Sequence, residues 1–176
     1  MKIKLGVLAV AVPLVLATVT GCGMTDNDSN ETPSSGTSTS RDASDAMEKV
    51  SSDIYDLIGV KGKASDSRPF VSECSGKDRK KYFRIFHWWS FYPTSASDLG
   101  VAMERLKTEL PKRGWKIVTY GPDTSRNKNI NLTADNDKQK AGVNIVEMAK
   151  DDPPKLSLHV VSGCYQVPEG QEVEHF

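Results

Sequence analysis

The sequence predicts an α+β fold, an antiparallel five-stranded sheet with two helices packed on one face, in the order α-β-α-β-β-β-β. Three observations point there. Two stretches repeat apolar residues every three or four positions. Five others are short, rich in aromatic or β-branched residues, and bounded by turn clusters; these strands mostly run together instead of alternating with helices. The chain has 176 residues, 38% hydrophobic and 26% charged, which suits one core rather than two.

Residues 42–58 place Ala43, Met47, Val50, Ile54 and Leu57 at helical spacing over nearly five turns, and Gly59 follows as a C-terminal cap. Residues 59–78 carry Gly62, Ser65, Ser67, Pro69 and Gly76 with only Phe70 and Val71 to bury. They read as a long surface loop ending near Cys74, and such a loop is a candidate binding element. Residues 82–91 form the first strand. Residues 95–110 form the second helix, with Ser95 or Ser97 to cap it, Asp98 in its first turn, and Leu99, Ala102, Met103, Leu106 and Leu110 on one face. Pro111 and Gly114 end it. Strands at 115–120, 130–134, 143–149 and 156–161 follow, separated by turns rich in Gly, Pro, Asp and Asn, and this pattern reads as an antiparallel meander.

The N-terminal segment has a different grammar. Lys2 and Lys4 precede an apolar run over residues 5–19, and small residues then lead to Gly21 and Cys22. Residues 1–21 read as a signal peptide. The run is interrupted by Pro13 and is shorter than the roughly 20 residues that span a bilayer, so a transmembrane helix is the weaker reading. Residues 22–41, from Cys22 onward, read as a disordered Ser/Thr-rich tether with a reach of roughly 25 Å. Residues 42–176 are the single α+β domain.

Charge excludes one class of partner. The chain is formally neutral, and it turns slightly acidic once Lys2 and Lys4 leave with the signal segment. The longest basic cluster runs only over residues 77–81, too little surface to neutralise a phosphate backbone, so no nucleic-acid partner is expected.

Of three cysteines, Cys22 ends the signal-like segment and lies outside the domain. Cys74 and Cys164 remain as an even pair, and in an oxidising compartment a disulfide is the first expectation. It closes a loop of about 90 residues, worth ~4.6 kcal/mol by the chain-entropy treatment. The competing reading is a catalytic thiol or a metal pair involving His87 or His159; neither cysteine has the local spacing of a metal site.

The motifs of nucleotide-binding, serine-hydrolase and zinc-protease chemistry are absent. No catalytic residue, metal or cofactor is assigned. Asp135, Asn136 and Asp137 resemble part of a calcium loop but lack its glycine and distal glutamate, and a hairpin turn accounts for them. His87 sits among aromatics as a structural residue or a general base. His159 alternates with Leu158 and Val160 and is expected on the solvent side.

The strand at 82–91 is the most informative stretch. Alternation places Phe83, Ile85, His87, Trp89 and Phe91 on one face, and Tyr82, Arg84, Phe86, Trp88 and Tyr92 on the other. Only one face can meet the two helices. Either the long loop covers the second face, or Arg84, Trp88 and Tyr92 are partly exposed and form a binding surface.

The tetrapeptide Val19-Thr20-Gly21-Cys22 resembles the lipobox of bacterial prolipoproteins. The resemblance implies cleavage between Gly21 and Cys22 and a diacylglycerol thioether on Cys22, with fatty acyl chains such as palmitate. Two acyl chains anchor stably where one holds marginally. The Ser/Thr/Gly tether and the segments 110–115 and 162–170 are similar to those of actinobacterial lipoproteins of the LppA type, a resemblance that carries no catalytic residue with it. The functional expectation is a non-enzymatic, membrane-anchored binding module on the extracytoplasmic face of the cell membrane. Its partner there is an envelope protein, a glycan or a small ligand. The alternative is an envelope hydrolase centred on His87 or His159, and a third reading is a purely structural role.

Overall fold

Helix α1, Ser40–Ile58, begins two residues before the expected point, because Thr39 caps it: the Thr39 hydroxyl accepts the Asp42 amide at 3.1 Å. The computed structural model describes residues 32–176. The signal segment 1–21, the cleavage pair Gly21 and Cys22, the lipidation site Cys22 and the first part of the tether lie outside the described residues. Gly59 closes α1 in the left-handed region at φ 65°. A Cβ there would also strike the Arg105 side chain.

Among the described residues nine strands accompany two helices. They are β1 (Ser34–Thr37), β2 (Gly62–Ala64), β3 (Phe70–Glu73), β4 (Tyr82–Pro93), β5 (Lys116–Pro122), β6 (Ile130–Asn136), β7 (Ala141–Met148), β8 (Lys155–Ser162) and β9 (Cys164–Gln166). Helix α2, Asp98–Glu109, and a 3-10 turn at Pro111–Arg113 stand between β4 and β5. The expected antiparallel five-stranded α+β sheet is therefore corrected: the protein is mostly β, with nine strands in one curled, mixed sheet. The five expected strands are present as β4 to β8. The four additional ones are three or four residues long and extend the sheet on either side of β4, where backbone hydrogen bonding suffices without an apolar repeat.

Strands β5, β6, β7, β8 and β4 lie side by side, each antiparallel to its neighbour. Past Gly163, β9 takes over from β8 along β4. The Ser162 hydroxyl manages this break, accepting the Ile85 amide at 2.9 Å and donating to the Gly163 carbonyl at 2.7 Å. Strand β1 runs parallel to β9, which makes the sheet mixed. Residues 34–37, read from the sequence as tether, are thus part of the sheet. On the other edge of β4 lie β2 and β3, so the stretch read as a surface loop extends the sheet instead.

Both helices cover one face. Met47 and Ile54 of α1, and Leu99, Met103 and Leu106 of α2, are buried with Phe83, Ile85, Phe91, Leu132, Ile145 and Leu158. Each such side chain contributes about 1.5–3 kcal/mol by leaving water. Cys74, just after β3, is bonded to Cys164, the first residue of β9, with Cα atoms 6.0 Å apart. That bond links the chains flanking β4 on its two edges.

Candidate functional site

Strand β4 divides its side chains between the two faces as alternation requires. Phe83, Ile85, His87, Trp89 and Phe91 are buried under the helices, while Trp88 is 50% exposed on the other face. Among the described residues no helix covers that second face, and its side chains are exposed or half-buried.

Strand register then assembles a group that no single segment contains. Phe70 of β3 is paired with Phe86, and Trp88 with His159 of β8. Phe70 and Phe86 stack with ring centres 5.7 Å apart, Phe70 meets Trp88 edge-on at 5.2 Å, and His159 tilts against Trp88 at 5.3 Å. The row continues from His159 through Asn144, Thr133 and Thr119. Five strands at the usual spacing make that row roughly 19 Å long. Its polar members are pre-ordered, since Asn144 Nδ2 donates to Asn131 Oδ1 at 2.7 Å and to Thr133 Oγ1 at 3.1 Å. An exposed indole beside fixed, uncharged amide and hydroxyl groups can stack on one flat surface of a ligand and hydrogen-bond its edges.

Of the residues singled out from sequence, Arg84 and Trp88 belong to this face and Tyr92 lies farther along it, opposite Lys63 of β2. The Arg84 guanidinium sits 4.8 Å over the Phe86 ring, and its Nε is buried without a hydrogen-bond partner among the described residues. Asn144 and Thr133 have no signal in the sequence, and Phe70 stands out there only as an apolar residue of the 59–78 stretch. Only the solvent-side position of His159 was legible, and strand register was needed to bring it to Trp88.

The covered face holds a second polar group. His87 Nε2 lies 3.1 Å from the Ser67 carbonyl and Nδ1 lies 2.8 Å from Ser51 Oγ. A carbonyl can only accept, so Nε2 carries the proton and Nδ1 accepts from the Ser51 hydroxyl. Burial disfavours the charged imidazolium and lowers the His87 pKa, against the opposing pull of the Ser67 carbonyl and Glu48. Neither His87 nor His159 hydrogen-bonds a carboxylate among the described residues, and Ser51 is 3% exposed. His87 therefore ties α1 to the 65–69 connector between β2 and β3. Beside it, Trp89 is 6% exposed and its Nε1–H has no acceptor among the described residues. Leaving such a donor unpaired costs about 1–3 kcal/mol. Both residues line a groove of about 360 Å³ between α1 and the connector.

Other sequence candidates have plain structural roles. Asn136 accepts the Gln139 amide at 3.1 Å and holds the turn between β6 and β7. Cys74 and Cys164 are consumed in their disulfide. Among the described residues no three metal-ligating side chains converge, and no helix is long and apolar enough to cross a membrane. Comparison with protein families, with curated proteins and with solved structures finds no match to this chain.

Proposed function

We propose that this chain is a lipid-anchored binding module that presents the open face of its sheet to a hydroxyl-rich glycan of the cell envelope. The observation that carries the reading is Trp88, half exposed at the centre of an aromatic group and at the end of an uncharged polar row. An indole face stacks on the apolar face of a sugar ring, and the amide and hydroxyl row meets its hydroxyl groups. The occupied hydrogen bonds of His87 favour binding over hydrolysis. Anchoring is supported by the N-terminal sequence alone: the apolar run and the lipobox-like Val19-Thr20-Gly21-Cys22 favour a lipid-anchored module on the extracytoplasmic face of the membrane.

Two measurements test the proposal. Intact mass of protein from its native membrane, before and after reduction, is expected to begin at Cys22 with acyl additions and to rise by two hydrogens on reduction. An unlipidated mass defeats the anchor. Retention of the protein on insoluble envelope glycan is expected to fall about tenfold or more in Trp88→Ala, as for a central aromatic anchor. Equal retention of the two proteins, both folded, defeats the binding face.

A further inference from the structure

Beside the Trp88 row on the open face runs a second one, in which register places Phe86 next to Val161, Gly142 and Asp135. Glycine interrupts it. A Cβ at position 142 would come within 3.2 Å of Asp135 Oδ1 and 3.5 Å of Val161 Cγ1, so both side chains lean over bare backbone. The row dips there into a pocket of about 340 Å³, bordered by Arg84, Asp135, Asp137 and Lys140. The two carboxylates can only accept hydrogen bonds, and the two cations can only donate them. Arg84 is the unusual member. It is half-buried, and its guanidinium makes no hydrogen bond or ion pair with a described residue. Of the three guanidinium nitrogens only Nε is enclosed as well as unpaired. The two terminal nitrogens therefore stay accessible, and they form the fork that recognises a carboxylate. The guanidinium lies 4.8 Å over the Phe86 ring, which is 5.8 Å from the ring of Trp88. That fork is thus held within two ring spacings of the stacking indole.

We propose that this pocket is the specificity site of the open face and takes an acidic sugar, one whose carboxylate lies close to the ring stacked on Trp88. The carboxylate meets the Arg84 fork, and Lys140 adds charge from the pocket rim. Hydroxyl groups of the same sugar donate to Asp135 and Asp137. Gly142 leaves the floor clear for the ring. A neutral sugar leaves the Arg84 fork unpaired, whereas an anion without hydroxyl groups is set against two bare carboxylates. The inference rests on the open-face reading and adds to it the charge of the ligand.

The test measures retention of the full chain, in a maltoside detergent, on insoluble envelope glycan that is either native or has its carboxyl groups converted to methyl esters. Wild type is expected to lose about tenfold on esterification, as for a charge-assisted hydrogen-bonded pair. Arg84→Gln is expected to lose as much on native glycan and nothing further on the ester. Arg84→Lys recovers only part, because an ammonium lacks the fork. Arg126→Gln, which removes an exposed arginine from the β5–β6 turn, is expected to match wild type on both supports. The inference is overturned if esterification leaves wild-type retention unchanged, if Arg84→Gln loses equally on both supports, or if Arg126→Gln loses as much as Arg84→Gln. In each of those cases a loss in Trp88→Ala still upholds the open-face reading. Unchanged retention of Trp88→Ala defeats that reading and this inference with it. The esterification arm needs no variant, so a misfolded Arg84→Gln leaves the test intact.

Discussion

Trp88 and Trp89 are neighbours in sequence and opposites in circumstance. Trp88 is half exposed on the open face, packed edge-on against Phe70 and beside His159; Trp89 is buried under α1 beside His87. One strand thus serves two surfaces through its two-residue period. On the covered face, side chains are held by apolar packing and their loss is felt as stability. On the open face, strand register sets the arrangement, and the packing of the core does not depend on it. The same residue type has different work on the two sides of one backbone.

That contrast can be broken by mutation. Phe91→Ala, on the covered face at 1% exposure, is expected to cost about 3–5 kcal/mol, read from urea unfolding followed by circular dichroism. Trp88→Ala in the same assay is expected to lose less than about 1 kcal/mol. Similar losses at both positions erase the distinction between the faces.

The disulfide comes next. Cys74→Ser with Cys164→Ser is expected to cost about 2–5 kcal/mol, since the bond spans 90 residues of sequence. An unchanged urea midpoint would show that β3 and β9 need no covalent link across β4.

His87→Gln sharpens the comparison from the covered side, with an expected loss of about 1–3 kcal/mol at neutral pH. Burial lowers the folded-state pKa of His87 below its ordinary value near 6.5. The unfolded chain therefore binds the proton more readily, so stability is complete above that ordinary value and falls as pH drops toward the folded pKa. Unfolding midpoints between pH 5 and 7 are expected to fall more steeply in the wild type than in His87→Gln. Parallel profiles would show that the imidazole is not desolvated.

The smallest effect is spectroscopic. Burial and a 2.6 Å hydrogen bond to Glu104 push the Tyr120 pKa up to about 12. Burial also raises the Tyr165 pKa, so ultraviolet titration is expected to show a late step whose amplitude falls by one tyrosine in Tyr120→Phe. An unchanged late amplitude in that variant would assign the step to other rings.

Legibility followed the strength of local signals. The helix over 42–58 and the strand over 82–91 were readable because each repeats apolar residues over many positions. Strands β1, β2 and β3 were not: Ser34–Thr37 carries no apolar residue, Gly62–Ala64 spans three positions, and Phe70–Glu73 offers two apolar side chains amid turn formers. Their strand character comes from hydrogen bonds to β9 and β4. The covering of one face also misled, since a stretch poor in apolar residues was read as loop when it needed only an open strand edge. Arg84, Trp88 and Tyr92 were marked correctly as one face of one strand, but Phe70, Asn144 and Thr133 join that face from other strands and have no local signature.

By itself the sequence determined which side chains of β4 share a face, where the long helix lies, and which two cysteines were free to pair within the domain. These follow from periods of two and 3.6 residues and from counting. Tertiary structure decided which face stayed open, that Phe70 and His159 flank Trp88, and that Arg84, Asp135 and Val161 share one pocket. Those outcomes depend on strand order and register, which are set by pairings between segments far apart in the chain and are invisible to any local pattern.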